Sequence, residues 1–168
     1  MRGGDSSFSF SLWVNPTSLS GGGSVVHISR NSDGTNDCLD VLAFTRTGSI
    51  VCQWLLSSGN VDSVEGSVIP ANTWTHIAVV YGYSNGVRLF VNGQFSASSS
   101  TGSLTLRDTN VPLYITLGNV GSLGSSASVS CNNGSVPISS GYFPGSIDEF
   151  RLYNRELDSQ ELCVLANP

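Results

Sequence analysis

Short runs of alternating polar and apolar residues, glycine-rich turns between them, and one helical signal near the end predict an all-β sandwich for this 168-residue chain. The length suits a single domain, residues 1–168, large enough to bury a core. Residues 6–14 alternate serine with Phe8, Phe10, Leu12 and Val14, a half-buried strand that Asn15-Pro16 ends. Residues 24–29 form a second strand, entered from Gly21-Gly22-Gly23. Residues 39–45 and 49–55 flank Arg46-Thr47-Gly48 as a hairpin. WTHIAVVY, residues 74–81, is apolar on both faces, as a central strand covered on both sides must be, and it places Trp74 in the core. Residues 87–91 and 94–97 surround Asn92-Gly93, the strongest short hairpin signal. Residues 113–117 and 146–153 complete the strands. In LDSQELCVLA, Asp158 caps the free amides and Glu161 reaches back, a capping box that opens one short C-terminal helix. Residues 98–110 and 118–144 are serine- and glycine-rich loops between strands that must pair, so neither is a domain linker.

Composition excludes several functions. Every one of the seven basic residues is arginine, and the net charge is −5. No basic patch is available to neutralise phosphates, so nucleic acid is not an expected partner. Without lysine there is no Schiff-base chemistry and no P-loop. No apolar run approaches the roughly 20 residues that span a bilayer, so membrane insertion is not expected. The start, MRGGDSSFSF, lacks the apolar core of a signal peptide. Four cysteines, at 38, 52, 131 and 163, make no CxxC, which is not the pattern of structural zinc. Their even number and the sequon Asn133-Gly134-Ser135 point to an oxidising, extracellular setting with glycosylation at Asn133. Three pairings are open. Position along the chain favours Cys131 with Cys163, tying the long loop to the C-terminus, and Cys38 with Cys52 across the hairpin, although a simple turn at 46–48 offsets that second pair.

Four segments occur in a telling order: FSFSLWVNP, NTWTHIAVVY, NGVRLFVNGQ and GSIDEFRLYNRELDSQEL. Each resembles the corresponding signature of laminin G-like, concanavalin A-like domains, and together they cover roughly residues 5–166. The resemblance implies a two-sheet antiparallel jelly roll whose first and last strands lie near each other in one sheet. It also implies a recognition module binding a glycan or an extracellular protein, in a secreted or cell-surface parent chain with other domains. A structural calcium near the last strand is a common feature of such relatives.

GSIDEFRLYNREL, residues 145–157, sets Asp148 beside Glu149. On a regular strand Asp148, Phe150 and Leu152 share one face, while Glu149, Arg151 and Tyr153 share the other. The two carboxylates then point to opposite sides of the sheet and cannot act on one substrate bond. Asp148 falls on the core-facing parity and needs a partner. A salt bridge or backbone amides would serve, and so would a calcium ion held with the N-terminal segment, where Asp5 is the nearest acid.

SRNSDGTNDCLD, residues 29–40, looks like a calcium loop, but the first ligand position is Ser29 and the twelfth is Asp rather than Glu. It is expected to be a turn between strands, with Asp33 and Asp37 as weak candidates for a ligand rim. His27 and His76 sit in apolar strands and are expected as core histidines hydrogen-bonded to the backbone. Trp13 lies opposite Phe10 and Leu12 among serines and, like Trp54, is a candidate sugar-stacking platform. No strand carries the cluster of acids that glycosidases of this fold use, and neither GxSxG nor GxGxxG occurs, so no enzyme is expected. A structural or adhesion spacer is the alternative to recognition, with a glycan-active hydrolase behind both.

Overall fold

The computed structural model describes residues 6–99, 105–108, 111–118, 131, 134–139 and 141–167. In chain order the elements are β1 (Phe8–Pro16), β2 (Gly23–Ser29), β3 (Leu39–Phe44), β4 (Ser49–Leu55), β5 (Val61–Val68), β6 (Thr75–Gly82), β7 (Gly86–Val91), β8 (Gln94–Ser98), β9 (Tyr114–Leu117), β10 (Gly145–Tyr153) and α1 (Ser159–Ala166). They form two five-stranded sheets, ordered β10-β1-β6-β7-β8 and β5-β4-β3-β2-β9, with every pairing antiparallel. This is the expected jelly-roll sandwich, and β1 pairs with β10 as the resemblance implied.

The core fills the space between the sheets. Phe8, Phe10, Leu12 and Val14 of β1 meet Ile77, Val79 and Tyr81 of β6, Leu42 and Phe44 of β3, and Ile50 and Cys52 of β4. Phe10, Leu12 and Phe44 have no exposed surface, and complete burial of such side chains contributes about 1.5–3 kcal/mol each. Asn92 and Gly93 both take positive φ, 49° and 73°, as a type I′ hairpin turn requires.

β6 is buried at every position because both of its faces are covered. Its inward residues enter the main core. Its outward residues Ala78 and Val80 join Phe90, Leu157 and Leu162 in a second, smaller core under α1. The capping box forms as expected, with Asp158 accepting from the Gln160 and Glu161 amides and Glu161 accepting from the Asp158 amide. The segment ahead of the helix is tied down by Ser9, whose hydroxyl donates to the Arg155 carbonyl (2.8 Å) and accepts from the Leu157 amide (3.0 Å).

Trp74 is not a core residue. β6 begins at Thr75, and the indole is 44% exposed. It precedes His76 on the outward face, where the second core reaches only Ala78 and Val80. β5 was not anticipated, because VDSVEGSV lacks strict alternation and only Val64 is buried.

The outer face of the other sheet is covered by a strap, residues 131–144, insofar as they are described. The Ser139 amide donates to the Phe44 carbonyl and the Ser139 carbonyl accepts from the Gly23 amide. Ser24 and Gly141 exchange bonds in both directions, one through the Ser24 hydroxyl. Phe143 then turns inward and stacks on Phe44, centroids 5.8 Å apart. Glycine is required where the strap touches the sheet: a Cβ on Gly22 would lie 2.4 Å from Ser139 Cβ, and one on Gly134 would lie 1.7 Å from Ser63 Oγ.

Candidate functional site

The paired acids of β10 do not sit on opposite faces. The β1–β10 register shifts between Ser11↔Arg151 and Trp13↔Asp148, and Glu149 adopts φ 50°. A β-bulge therefore inserts one residue, so that Ile147 and Phe150 both pack against the core while Asp148 and Glu149 are both exposed. The expected core-facing Asp148 is thus corrected, since the bulge breaks the alternation on which it rested. Its Oδ1 accepts from the Glu149 amide at 2.7 Å, and Glu149 pairs with Arg151 at 2.7 Å. A calcium ion takes six to eight oxygens. Asp5 lies outside the described residues, and around Asp148 the described residues supply one free carboxylate, so by themselves they do not fit that ion.

The cysteines are also corrected. Cys38 is bonded to Cys131, while Cys52 and Cys163 are free. Cys52 points into the core between the sheets, which separates it from Cys38, and Cys163 lies exposed on α1 across the sandwich from the strap. The strap brings Cys131 back over the turn that carries Cys38. Burial pushes the Cys52 thiol pKa well above its ordinary value.

Residues 30–38 form the expected turn. Asp33 accepts from the Thr35 amide and hydroxyl, which lower its pKa, and Asp37 pairs with Arg30 at 2.6 Å and lies 3.9 Å from Arg107. Trp54 is a core residue, buried with its Nε1 unpartnered, and so offers no stacking platform. Asn133 lies outside the described residues.

Trp13 is on the outward face as expected, but half-buried, with the His76 ring edge-on at 5.3 Å. His76 departs from expectation: its ring is buried, yet Nδ1 has no hydrogen-bond partner. Burial, and secondarily the Arg151 charge, lower its pKa to about 4. His27 makes the expected backbone bond, Nε2 to the Gly34 carbonyl at 3.0 Å, and a second, Nδ1 to Asp40 Oδ1 at 2.8 Å.

One feature sequence reasoning missed is a cleft of about 240 Å³ between the β3–β4 turn and the strap. Thr45, Arg46 and Thr47 form one rim, Glu65 of β5 another, and Val136, Pro137 and Ile138 the apolar wall. The turn is fixed by the Gly48 amide on the Thr45 carbonyl and the Ser49 amide on the Thr45 hydroxyl. Every other described arginine has a carboxylate within 4 Å. Arg46 alone has none, and Glu65 is unpaired as well. Nothing in the sequence marks the site, because Arg46 and Val136 are brought together only by the course of the strap.

A family model for the concanavalin A-like lectin/glucanase superfamily matches residues 2–163. The chain belongs to this superfamily. The sequence matches none of the curated proteins it was compared with. Among solved structures, this superfamily member is similar to the CBM40 of a Ruminococcus gnavus IT-sialidase, bound to α2,3-sialyllactose. The TM-score is 0.70 at 15% identity, covering 98% of this chain and 84% of that one. A heptameric pentraxin from Limulus polyphemus aligns with TM-score 0.63 at 10% identity, over 99% of this chain and 72% of that one. The ligand-binding domain of botulinum neurotoxin serotype D, in complex with N-acetylneuraminic acid, gives 0.60 at 13%, over 98% of this chain and 37% of that one. At these identities the likeness is one of fold.

Proposed function

We propose that this domain is a non-catalytic carbohydrate-recognition module that holds one acidic sugar residue of an extracellular glycan in the cleft between the β3–β4 turn and the strap. The observation that carries this is Arg46, a cation without a carboxylate partner in a chain of net charge −5, set on the rim of a cleft. A sugar carboxylate would accept charge-assisted bonds from the guanidinium. Hydroxyl or amide groups of the ring would donate to Glu65, and its apolar face would lie on Val136, Pro137 and Ile138. The volume is below the roughly 300–1,000 Å³ that drug-sized ligands fill, which suits a single terminal sugar. That two similar folds are described with sialic acid ligands supports the choice of acid. Among the described residues the cleft is lined by one carboxylate, Glu65, whereas glycoside hydrolysis ordinarily uses two, which supports recognition over catalysis. The Cys38–Cys131 bond supports an oxidising, extracellular setting.

Isothermal titration with α2,3-sialyllactose and with lactose tests this. Binding of the sialylated sugar alone is expected, and Arg46→Ala should weaken it by about 1.5–3 kcal/mol, on the order of ten- to a hundredfold. Equal affinity for lactose, or an Arg46→Ala variant that binds as wild type, would overturn it. Loss of binding in Trp13→Ala instead would move the site to the outer face of the first sheet. No binding to any member of a glycan array would leave the spacer function.

A further inference from the structure

The Cys38–Cys131 disulfide closes directly against a buried histidine. Ligand atoms of His27, Cys38 and Cys131 all lie within 4.8 Å of one another, the one such group of three among the described residues. Three separate segments supply them: β2, the end of the 30–38 turn, and the strap. With 93 residues between the two cysteines, no ligand spacing in the sequence could reveal the group.

We propose that, when this disulfide is reduced, His27, Cys38 and Cys131 form a zinc site, so that one locus holds either a disulfide or a metal ion. Zinc–sulfur bonds of about 2.3 Å and zinc–nitrogen bonds of about 2.0 Å at tetrahedral angles put ligand atoms roughly 3.5–3.8 Å apart. The group is already within about an ångström of that spacing, apart from the two sulfurs, which must separate once their bond is broken. Two thiolates and an imidazole are the soft and borderline donors that zinc prefers over calcium.

His27 is already braced for the role. Asp40 holds Nδ1 at 2.8 Å, which leaves Nε2 as the ligand nitrogen once it exchanges the Gly34 carbonyl for the metal. Carboxylate–histidine–metal chains of this kind fix the tautomer and orient the ring. Two thiolates offset the charge of Zn²⁺, which suits a place where His27 and Cys38 are buried, and the Asp40 carboxylate is met by the His27 Nδ1–H. Cys131 is only partly buried and gives the ion a way in, and water fills the fourth position.

The chemistry needs an external reductant, a thiol or a phosphine. It delivers two electrons to the S–S bond, each sulfur takes up a proton, and zinc then displaces both protons as it binds. Zinc itself changes no oxidation state.

The test uses the whole chain with Cys163→Ser, which removes the exposed thiol and leaves the group intact. After phosphine reduction, one equivalent of Co²⁺ should give the visible and near-ultraviolet absorption of a tetrahedral thiolate site, and Zn²⁺ should bleach it. Zinc should also raise the melting temperature of the reduced protein while leaving the oxidised protein unchanged. Cys131→Ser, on the strap, should abolish the cobalt–thiolate spectrum at one equivalent, and His27→Ala should weaken binding at least tenfold. If the reduced protein unfolds without metal, zinc should restore its circular dichroism. No spectrum, a spectrum kept by Cys131→Ser, zinc that fails to restore the fold, or equal zinc stabilisation of the oxidised protein would each overturn the proposal.

Discussion

Gly134→Ala should unseat the strap without touching any residue that lines the cleft. A Cβ there would stand 1.7 Å from Ser63 Oγ and 2.6 Å from Gln53 Oε1. Ordinary contacts are roughly 3.5–4.0 Å, so the strap must retreat by well over an ångström. That breaks the Gly134 amide bond to Gln53 Oε1, now 2.7 Å, and turns away the Ser63 hydroxyl that donates to the same oxygen at 3.3 Å. Gln53 has no exposed surface, so its carbonyl would be left unsatisfied in the interior. A buried polar group stranded in this way costs about 1–3 kcal/mol. With a urea slope of about 1–3 kcal/mol per molar, the midpoint should fall by roughly 1 M. Urea unfolding at pH 7 measures it. Sialyllactose binding should weaken in the same variant, because the cleft loses its apolar wall. Adding Ser63→Ala removes the closest clash and should recover part of the midpoint. A Gly134→Ala protein with wild-type midpoint and affinity would refute the packing of the strap on β4 and β5.

Three further outcomes are expected. With the His76 pKa lowered from 6.5 to about 4 by burial, the unfolded chain binds this proton more readily than the folded one. The stability contributed at His76 is therefore full above pH 6.5, falls between 6.5 and 4, and levels off below, by at most roughly 3 kcal/mol at about 1.4 per unit; denaturant titrations of His76→Gln should show a shallower decline over that window, and equal slopes in both proteins would contradict it. Iodoacetamide should label one thiol of the native protein, at Cys163, and a second, at Cys52, only after unfolding, as mass spectrometry would show; native labelling of Cys52 would contradict its burial. Melting in millimolar calcium and in chelator should give the same midpoint, because among the described residues the acid beside Asp148, Glu149, is held by Arg151; a calcium-dependent rise that Asp148→Asn abolishes would restore the metal.

Local rules were legible in the sequence, while returns of the chain across space were not. The strand from Phe8 to Val14, the two-sided apolar run of β6, Asn92-Gly93 and the Asp158–Glu161 capping box each depend on neighbours within a few residues, and all form as expected, except that the first strand is not half-buried, since Ser9 and Ser11 are covered on its outer face. The Asp148 assignment failed because period two was extrapolated through a residue whose φ is positive, and nothing in Asp-Glu announces that. The disulfide failed for a different reason: Cys38 and Cys131 meet only because the strap doubles back over the turn after β2. The Arg46 cleft depends on the same excursion. Trp74 shows the limit of reading burial from hydropathy, since a strand's covering ends where the helix above it ends.

The bulge in β10 also bears on how copies of this protein meet. Among the described residues β10 is the outermost strand of its sheet, with one side paired to β1 and no strand on the other. An uninterrupted edge of nine residues would be a template on which a second chain could continue the sheet. Instead the ladder is kinked at its middle, and the exposed Asp148 carboxylate and the Glu149–Arg151 ion pair stand at the kink, where an incoming strand would have to accommodate them. A kink with charged groups beside it is the kind of interruption that hinders edge-to-edge growth of a sheet, so this margin of the sandwich is a poor template for a second chain.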